Sequence, residues 1–325
     1  MMKFSIIGGG AWGSTLAQVL MDNGHKVMIY EKNLTNRTKL ESGYHPFFKN
    51  ELPKGYHVVS SFEEAMNYSD YIVLAVPSRF IIDIINGLKQ IDVSKKVFIN
   101  VSKGFILPKM KTVSQSFNEY LNEKYKAFIS LSGPSHAEEV IERKMTCLVC
   151  SSKNKKEVDI VSSAFTNNYL NISKSSDIIG CEVGGATKNA IAVTSGIITS
   201  LGFGENARAA LITLGLKEIK SISSFFKGKE TTTYGLTGIG DLIVTALSMN
   251  SRNFKAGLNI GKGKSRIQIE TEEKQTIEGF DIIFAINELT IKEQIKSPLI
   301  NKTYELIYGK ISLEDFKKTI FHNIK

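Results

Sequence analysis

Apolar residues follow two regimes along the chain, and the change comes just past its midpoint. In the first half, short runs of apolar and β-branched residues recur: "KFSIIG" (3–8), "KVMIYE" (26–31), "YHVVS" (56–60), "YIVLAV" (71–76), "KVFINV" (96–101), "AFISL" (127–131) and "MTCLVC" (145–150). These read as strands. Between most of them lie amphipathic stretches, with Leu16, Val19 and Leu20 at helical spacing. Near-continuous apolar strands alternating with helices predict a mostly parallel sheet covered on both faces, a doubly wound α/β fold. After "YLNISKSSD" (169–177) the alternation fades, and from Ile178 the pattern is that of long helices joined by glycine-rich turns. The chain therefore divides into an α/β domain over residues 1–179 and an all-helical domain over residues 180–325. No internal repeat or low-complexity tract interrupts either.

The turn after the first strand, "GGGAWG" (8–13), concentrates glycine where an apolar strand meets an amphipathic helix. Glycine inside an element costs about 0.5–1 kcal/mol relative to alanine, so such a cluster calls for a backbone reason. Gly8, Gly10 and Gly13 fit G-x-G-x-x-G, and the acidic Glu31 ends the next strand. In that setting the turn approaches a pyrophosphate lying on the helix N-terminus, which makes the first domain a Rossmann-type dinucleotide-binding domain. Glu31 suits the ribose hydroxyl of NAD, whereas Lys32 suits the additional phosphate of NADP. Together they point to use of both cofactors.

Composition narrows the picture modestly. The 325 residues carry 41 basic and 32 acidic side chains, a net charge of +9 that suits anionic ligands. Basic residues are scattered rather than interleaved with aromatics, and no nucleic-acid motif is present, so no nucleic-acid partner is expected. Lysine runs such as "SKNKKE" (152–157) read as a solvated face. No apolar run is long enough to span a membrane. The opening "MMKFSIIGGGAW" leads straight into the glycine turn and reads as mature protein rather than a signal sequence. Three cysteines fit a reducing compartment and a cytoplasmic location. Cys147 and Cys150 form a CxxC within a strand, where residues three apart face opposite ways, and zinc would need a second ligand pair. Both are expected to be structural, with no bound metal. "GLNIGKGKS" (257–265) misses the phosphate-loop spacing by one residue, and "GPSHA" (133–137) lacks the last glycine of a nucleophile elbow.

A dehydrogenase also needs an acid–base group at the hydroxyl carbon. The five histidines, His25, His45, His57, His136 and His322, lie in no convincing catalytic setting. Lysine serves if burial or a neighbouring cation lowers its pKa from the unperturbed value of roughly 10.4. Lys188, in "CEVGGATKNAIAV" (181–193), sits at the start of an apolar helix pattern just after two glycines, where the alternative is a snorkelling surface lysine. Lys103, in "VSKG" (101–104), falls just past a strand, on the edge where open α/β sheets bind ligands. "GLTGIGDLIVT" (235–245) brings Asp241 to a helix start, and "NSRNFKAG" (250–257) offers Ser251, Arg252 and Asn253 as phosphate donors. Each also has a plainer reading, as a cap or a surface charge.

Taken in order and spacing, "GGGAWG", "VSKG", "LSGPSHAEEV" (131–140), "EVGGATKNAIA" (182–192), "ENARAALITLGL" (205–216), "GLTGIGDL" (235–242), "SRN" (251–253) and "IEG" (277–279) resemble the bacterial-type NAD(P)-dependent glycerol-3-phosphate dehydrogenases along nearly the whole chain. The resemblance implies interconversion of glycerol 3-phosphate and dihydroxyacetone phosphate by hydride transfer with NAD or NADP, supplying phospholipid backbones. It implies Lys188 as general acid–base, with Lys103, Gly133, Ser135, Asp241, Ser251, Arg252 and Asn253 around the substrate. It places Gly8, Gly10, Ala11, Trp12, Gly13, Lys32, Lys103, Ala137, Arg252 and Glu278 at the cofactor. The expected partner is a small phosphorylated substrate, with a homodimer as the candidate assembly. Three positions depart from the pattern: Thr187 replaces an aliphatic residue, Thr276 a valine, and Lys32 the more common arginine. The rivals are a 3-hydroxyacid or 6-phosphogluconate-type dehydrogenase, against which "SRN" argues, and a non-enzymatic nicotinamide-sensing module.

Overall fold

The computed structural model describes residues 1–273 and 277–322, so Thr276 lies outside the described residues. The chain forms two compact units, one of Met1–Ile106 with Lys111–Ile178, the other of Leu107–Met110 with Ile179–Lys325.

The first unit is built on an eight-stranded sheet: β1 (Lys3–Ile7), β2 (Lys26–Tyr30), β3 (His57–Val59), β4 (Tyr71–Leu74), β5 (Val97–Asn100), β6 (Ala127–Ser132), β7 (Thr146–Ser151) and β8 (Leu170–Ser175). Their order is β3-β2-β1-β4-β5-β6-β7-β8. All pairs are parallel except β6 with β7, which run antiparallel with Leu131 opposite Cys150. The doubly wound, mostly parallel sheet expected from the apolar runs is present. β8 was not among the expected strands. Its burial alternates over Leu170, Asn171 and Ile172, because it is an edge strand with one face toward solvent, and that mixed pattern hides it among polar residues.

β1 lies between β2 and β4, where the chain's winding reverses, and ligands of such sheets bind outside the carboxyl ends of the strands at that point. The register is set by Ile7 opposite both Tyr30 and Leu74. The helix Ala11–Asp22 follows directly and buries Leu16, Ala17, Val19 and Leu20 completely against the sheet. Each of the larger side chains contributes roughly 1.5–3 kcal/mol on burial, which fixes the helix and therefore its N-terminus over the end of β1. Cys147 and Cys150 on β7 are both free thiols, Cys150 buried and Cys147 half-buried.

The second unit is helical. Its central helix, Ile178–Ser200, is buried all round from Cys181 to Ile198, with Glu182, Lys188 and Asn189 enclosed among its apolar residues. Two neighbours come close enough to require glycine. A Cβ on Gly257, in the helix Arg252–Gly261, would fall 2.0 Å from the Val193 carbonyl oxygen, and one on Gly196 would fall 2.1 Å from that of Phe254. "GLNIGKGKS" is thus a helix end packed backbone to backbone, not a phosphate loop. Among the described residues no helix is long and apolar enough to cross a membrane.

Candidate active site

In the first unit the glycines of the opening turn have different reasons to be glycine. Gly8 has φ +109°, and a Cβ there would lie 2.6 Å from the Ala75 carbonyl oxygen on the neighbouring strand end. Gly13, in the first turn of the helix, would put its Cβ 1.9 Å from the Gly8 carbonyl oxygen. Both are required by the turn itself. Gly10 has an ordinary extended backbone, φ −72° and ψ −169°, and a Cβ there would meet nothing within 4 Å. No protein atom demands glycine at position 10.

Gly10 caps the helix without any side-chain hydrogen bond, and the first intrahelical bond runs from Ser14 N–H to the Gly10 carbonyl at 3.0 Å. The N–H groups of Ala11, Trp12 and Gly13 therefore precede the helical ladder and point toward the helix's positive end, an arrangement suited to a diphosphate. Glu31, buried at the end of β2, accepts the Asn33 N–H at 2.7 Å, while Lys32 beside it is exposed.

A second cluster gathers at the ends of β5 and β6. The Ser102 hydroxyl donates to the Val76 carbonyl at 2.5 Å, and the Asn100 side chain accepts Ser102 N–H at 3.1 Å, which ties the ends of β4 and β5 together. The next residue, Lys103, donates from Nζ to the Gly133 carbonyl at 2.8 Å, and the Ser135 hydroxyl donates to the same oxygen at 3.0 Å. Gly133 has φ +146°, a conformation that favours glycine. Ala137 opens the short helix Ala137–Ile141 that follows.

In the second unit Lys188 is not at a helix start. It lies in the middle of Ile178–Ser200, because the glycine pair before it marks a close approach rather than a break. A Cβ on Gly184 would come 2.6 Å from the Thr237 carbonyl oxygen, so the helix presses against the π-helical turn Leu236–Gly240. That turn delivers Asp241, the first residue of the helix Asp241–Ala246. Lys188 is 5% exposed and Asp241 fully buried. Lys188 Nζ donates to Asp241 Oδ1 at 2.5 Å and to Thr245 Oγ1 at 2.5 Å. Burial excludes the snorkelling reading, and the charge facing Lys188 within its own unit is an anion rather than a cation.

The remaining predicted residues of this unit converge through backbone contacts. Ser251 is the N-cap of Arg252–Gly261, accepting Phe254 N–H at 3.2 Å, which puts Arg252 and Asn253 in its first turn. Asn253 Oδ1 accepts Gly279 N–H at 3.0 Å. A Cβ on Gly279 would lie 3.0 Å from the Asn189 carbonyl oxygen. The start of the helix Glu278–Lys292, with Glu278 at its head, therefore meets both Asn253 and the residue after Lys188. Thr187 is fully buried and its hydroxyl has no hydrogen-bond partner.

Thr245 is the residue that reading the sequence missed. It follows Asp241 by four positions on one helix, which places both on one face, and that spacing was the available signal. Chemically, a buried ammonium held by a carboxylate and a hydroxyl is fixed in place and could serve as a proton-transfer group. A helix N-terminus carrying Arg252 and Asn253 suits a phosphate. Among the described residues no group of three or more His, Cys, Asp or Glu could hold a metal ion.

Comparison with known proteins gives a consistent result. Residues 3–158 match the family described as NAD-dependent glycerol-3-phosphate dehydrogenase N-terminus, and residues 177–318 match its C-terminus. A curated relative named glycerol-3-phosphate dehydrogenase [NAD(P)+] from Acholeplasma laidlawii is 47% identical, covering 97% of this chain and 95% of its own length. One of the same name from Phytoplasma mali is 41% identical, over 99% and 97%. The crystal structure of glycerol-3-phosphate dehydrogenase from Coxiella burnetii superposes with a TM-score of 0.92 at 27% identity, covering 99% of each chain.

Proposed function

The chain belongs to the NAD-dependent glycerol-3-phosphate dehydrogenase family, and from that premise we propose that it interconverts glycerol 3-phosphate and dihydroxyacetone phosphate with NAD or NADP. The observation that supports this most directly is the buried Lys188 with Asp241 and Thr245 at 2.5 Å. A bound nicotinamide dinucleotide would supply or accept the hydride at C2 of the substrate. In the reductive direction Lys188 gives a proton to the C2 oxygen, and in the oxidative direction its nitrogen takes the hydroxyl proton. Asp241 offsets the cost of burying that ammonium and, with Thr245, fixes its position.

Arg252, Asn253 and the N-terminus capped by Ser251 take the substrate phosphate, whose binding energy helps position C2. Lys103, Gly133 and Ser135 complete the substrate set. Gly8, Gly10, Ala11, Trp12 and Gly13 hold the cofactor's diphosphate, with Lys32, Lys103, Ala137, Arg252 and Glu278 as its further contacts. On this reading residues 1–179 supply most of the dinucleotide contacts, and residues 180–325 supply the proton-transfer group and the phosphate contacts of the substrate. Supply of glycerol 3-phosphate for phospholipids and a homodimeric form rest on the family resemblance alone, and a cytoplasmic location rests on the cysteine content.

The test is direct. Purified protein with NADH or NADPH should lose reduced-nicotinamide absorbance on addition of dihydroxyacetone phosphate, and 6-phosphogluconate with the oxidised cofactors should give no signal. Turnover of 6-phosphogluconate alone would replace this reading with the rival dehydrogenase. Cofactor binding without turnover of either substrate would leave a sensing module.

Cofactor choice is tested at position 32. Lys32→Ala should weaken NADPH binding several-fold and leave NADH within about twofold, since only NADPH carries the phosphate that an exposed lysine at the end of β2 can pair with. Equal losses for the two cofactors, measured by fluorescence titration, would show that Lys32 does not read that phosphate.

A further inference from the structure

His45 lies outside every motif in the sequence, yet the fold buries it to 1% exposure beside the glycine turn. It sits in a closed loop. Leu52 N–H donates to the Gly43 carbonyl, Tyr44 pairs antiparallel with Glu51, and His45 N–H donates to the Asn50 carbonyl. The ring stacks on Phe48, with centroids 4.4 Å apart and planes at 14°.

Both ring nitrogens are engaged, and their partners fix the tautomer. Nδ1 faces two backbone donors, the N–H groups of Phe47 at 3.1 Å and Phe48 at 3.0 Å, so it must accept. A neutral imidazole has one donor and one acceptor, and the proton therefore belongs to Nε2. Nε2 meets the Ala11 carbonyl at 3.0 Å and lies 3.3 Å from the Thr15 hydroxyl. Burial holds the ring neutral by lowering its pKa to about 4; Lys39 nearby acts in the same direction and the bond to Ala11 opposes it.

The Ala11 carbonyl is the informative partner. It also accepts the Thr15 hydroxyl at 2.8 Å, so side-chain donors from the loop and from the helix itself converge on one oxygen. In a planar trans peptide the C=O and the following N–H point in opposite directions. Holding the Ala11 oxygen thus aims the Trp12 N–H out of the helix N-terminus, and donors on the carbonyl also polarise that N–H. Trp12 N–H is one of the groups assigned above to the dinucleotide.

We infer that His45 is a positioning residue for the cofactor: its Nε2–H fixes the Ala11–Trp12 peptide so that the Trp12 N–H is directed at the diphosphate. The inference rests on the proposed cofactor site, and wild-type affinity for NADH tests that site separately. The plainer alternative is that His45 only closes its own loop.

Two substitutions separate these roles, because each keeps one end of the ring. His45→Asn retains an acceptor where Nδ1 stands, in an Asx-type turn to the Phe47 and Phe48 N–H groups, and loses the donor to Ala11. His45→Gln carries an amide donor far enough to reach the Ala11 oxygen and gives up the loop bonds. Titration with NADH should show His45→Asn weakened about tenfold, the scale of one well-placed hydrogen bond, and His45→Gln within about threefold of wild type. At saturating NADH, kcat and the KM for dihydroxyacetone phosphate should be unchanged in both. Wild-type NADH affinity in His45→Asn, or a loss confined to His45→Gln, would overturn the inference. Should either variant not fold, the wild-type protein decides the matter by 15N NMR of the imidazole. The Nε2–H resonance should shift when NADH is added, and an unchanged resonance in a protein that binds NADH would overturn it.

Discussion

Lys188→Met is expected to lower kcat by roughly 10²–10⁴, the usual contribution of one acid–base group, while NADH affinity stays within about twofold. Methionine keeps most of the side-chain volume in the middle of Ile178–Ser200 but has no proton to exchange. The substitution also strands the Asp241 carboxylate, fully buried and deprived of the ammonium 2.5 Å away. Removing one partner of a buried pair costs about 3–5 kcal/mol, so the single variant should melt well below wild type. Adding Asp241→Asn removes the stranded charge, and the double variant should regain most of that stability without regaining turnover. This split matters because it separates loss of chemistry from loss of structure. Lys188→Arg keeps the charge but should rescue little, since a guanidinium stays protonated and cannot serve as a base. The measurements are kcat, NADH Kd and Tm for the three variants. Near-normal turnover in Lys188→Arg would reduce Lys188 to an electrostatic anchor.

The apolar runs made most of the sheet legible because strands buried on both faces are mainly apolar, as the fully buried β5 and β6 illustrate, with Asn100, Ser130 and Ser132 as their polar residues. β8 escaped for the opposite reason, its alternation being that of an edge. The antiparallel turn of β7 left no trace either, since strand direction depends on how the chain returns through Ala137–Ile141 and not on the strand's own residues. Within the site, residue types were legible and their reasons were not. The glycines at 184 and 185 placed Lys188 at the start of a helix pattern, whereas Gly184 lies inside the helix and allows the contact with Thr237 that brings Asp241 to Lys188. Ser251 proved to be a cap, and capping sets Arg252 and Asn253 in the first turn of the helix it opens. His45 needed the fold, because its partner Ala11 is 34 residues away, whereas Thr245 was marked only by its spacing from Asp241.

The glycine turn supplies the other large effect. Gly8, Gly10 and Gly13 look equivalent in sequence, and their environments predict different outcomes. Gly10→Val is expected to abolish binding of NADH and NADPH in a protein that still folds. Its backbone is in a region open to any residue, and a Cβ there meets no protein atom within 4 Å. Loss of a glycine N-cap in favour of valine costs about 1 kcal/mol, a shift of a few degrees in Tm for a chain of this size. The added side chain instead occupies the space in front of the Ala11, Trp12 and Gly13 N–H groups, where the diphosphate must approach within hydrogen-bond distance. Gly13→Ala tests the contrast. Its Cβ would stand 1.9 Å from the Gly8 carbonyl oxygen, so the turn must open before the helix can form, and both Tm and cofactor affinity should fall. Calorimetric titration and thermal melts of the two variants provide the check. Unchanged NADH affinity in Gly10→Val would mean that the cofactor does not lie against this turn. A drop in Tm as deep as that of Gly13→Ala would mean that Gly10 is held to glycine by the fold and not by a ligand.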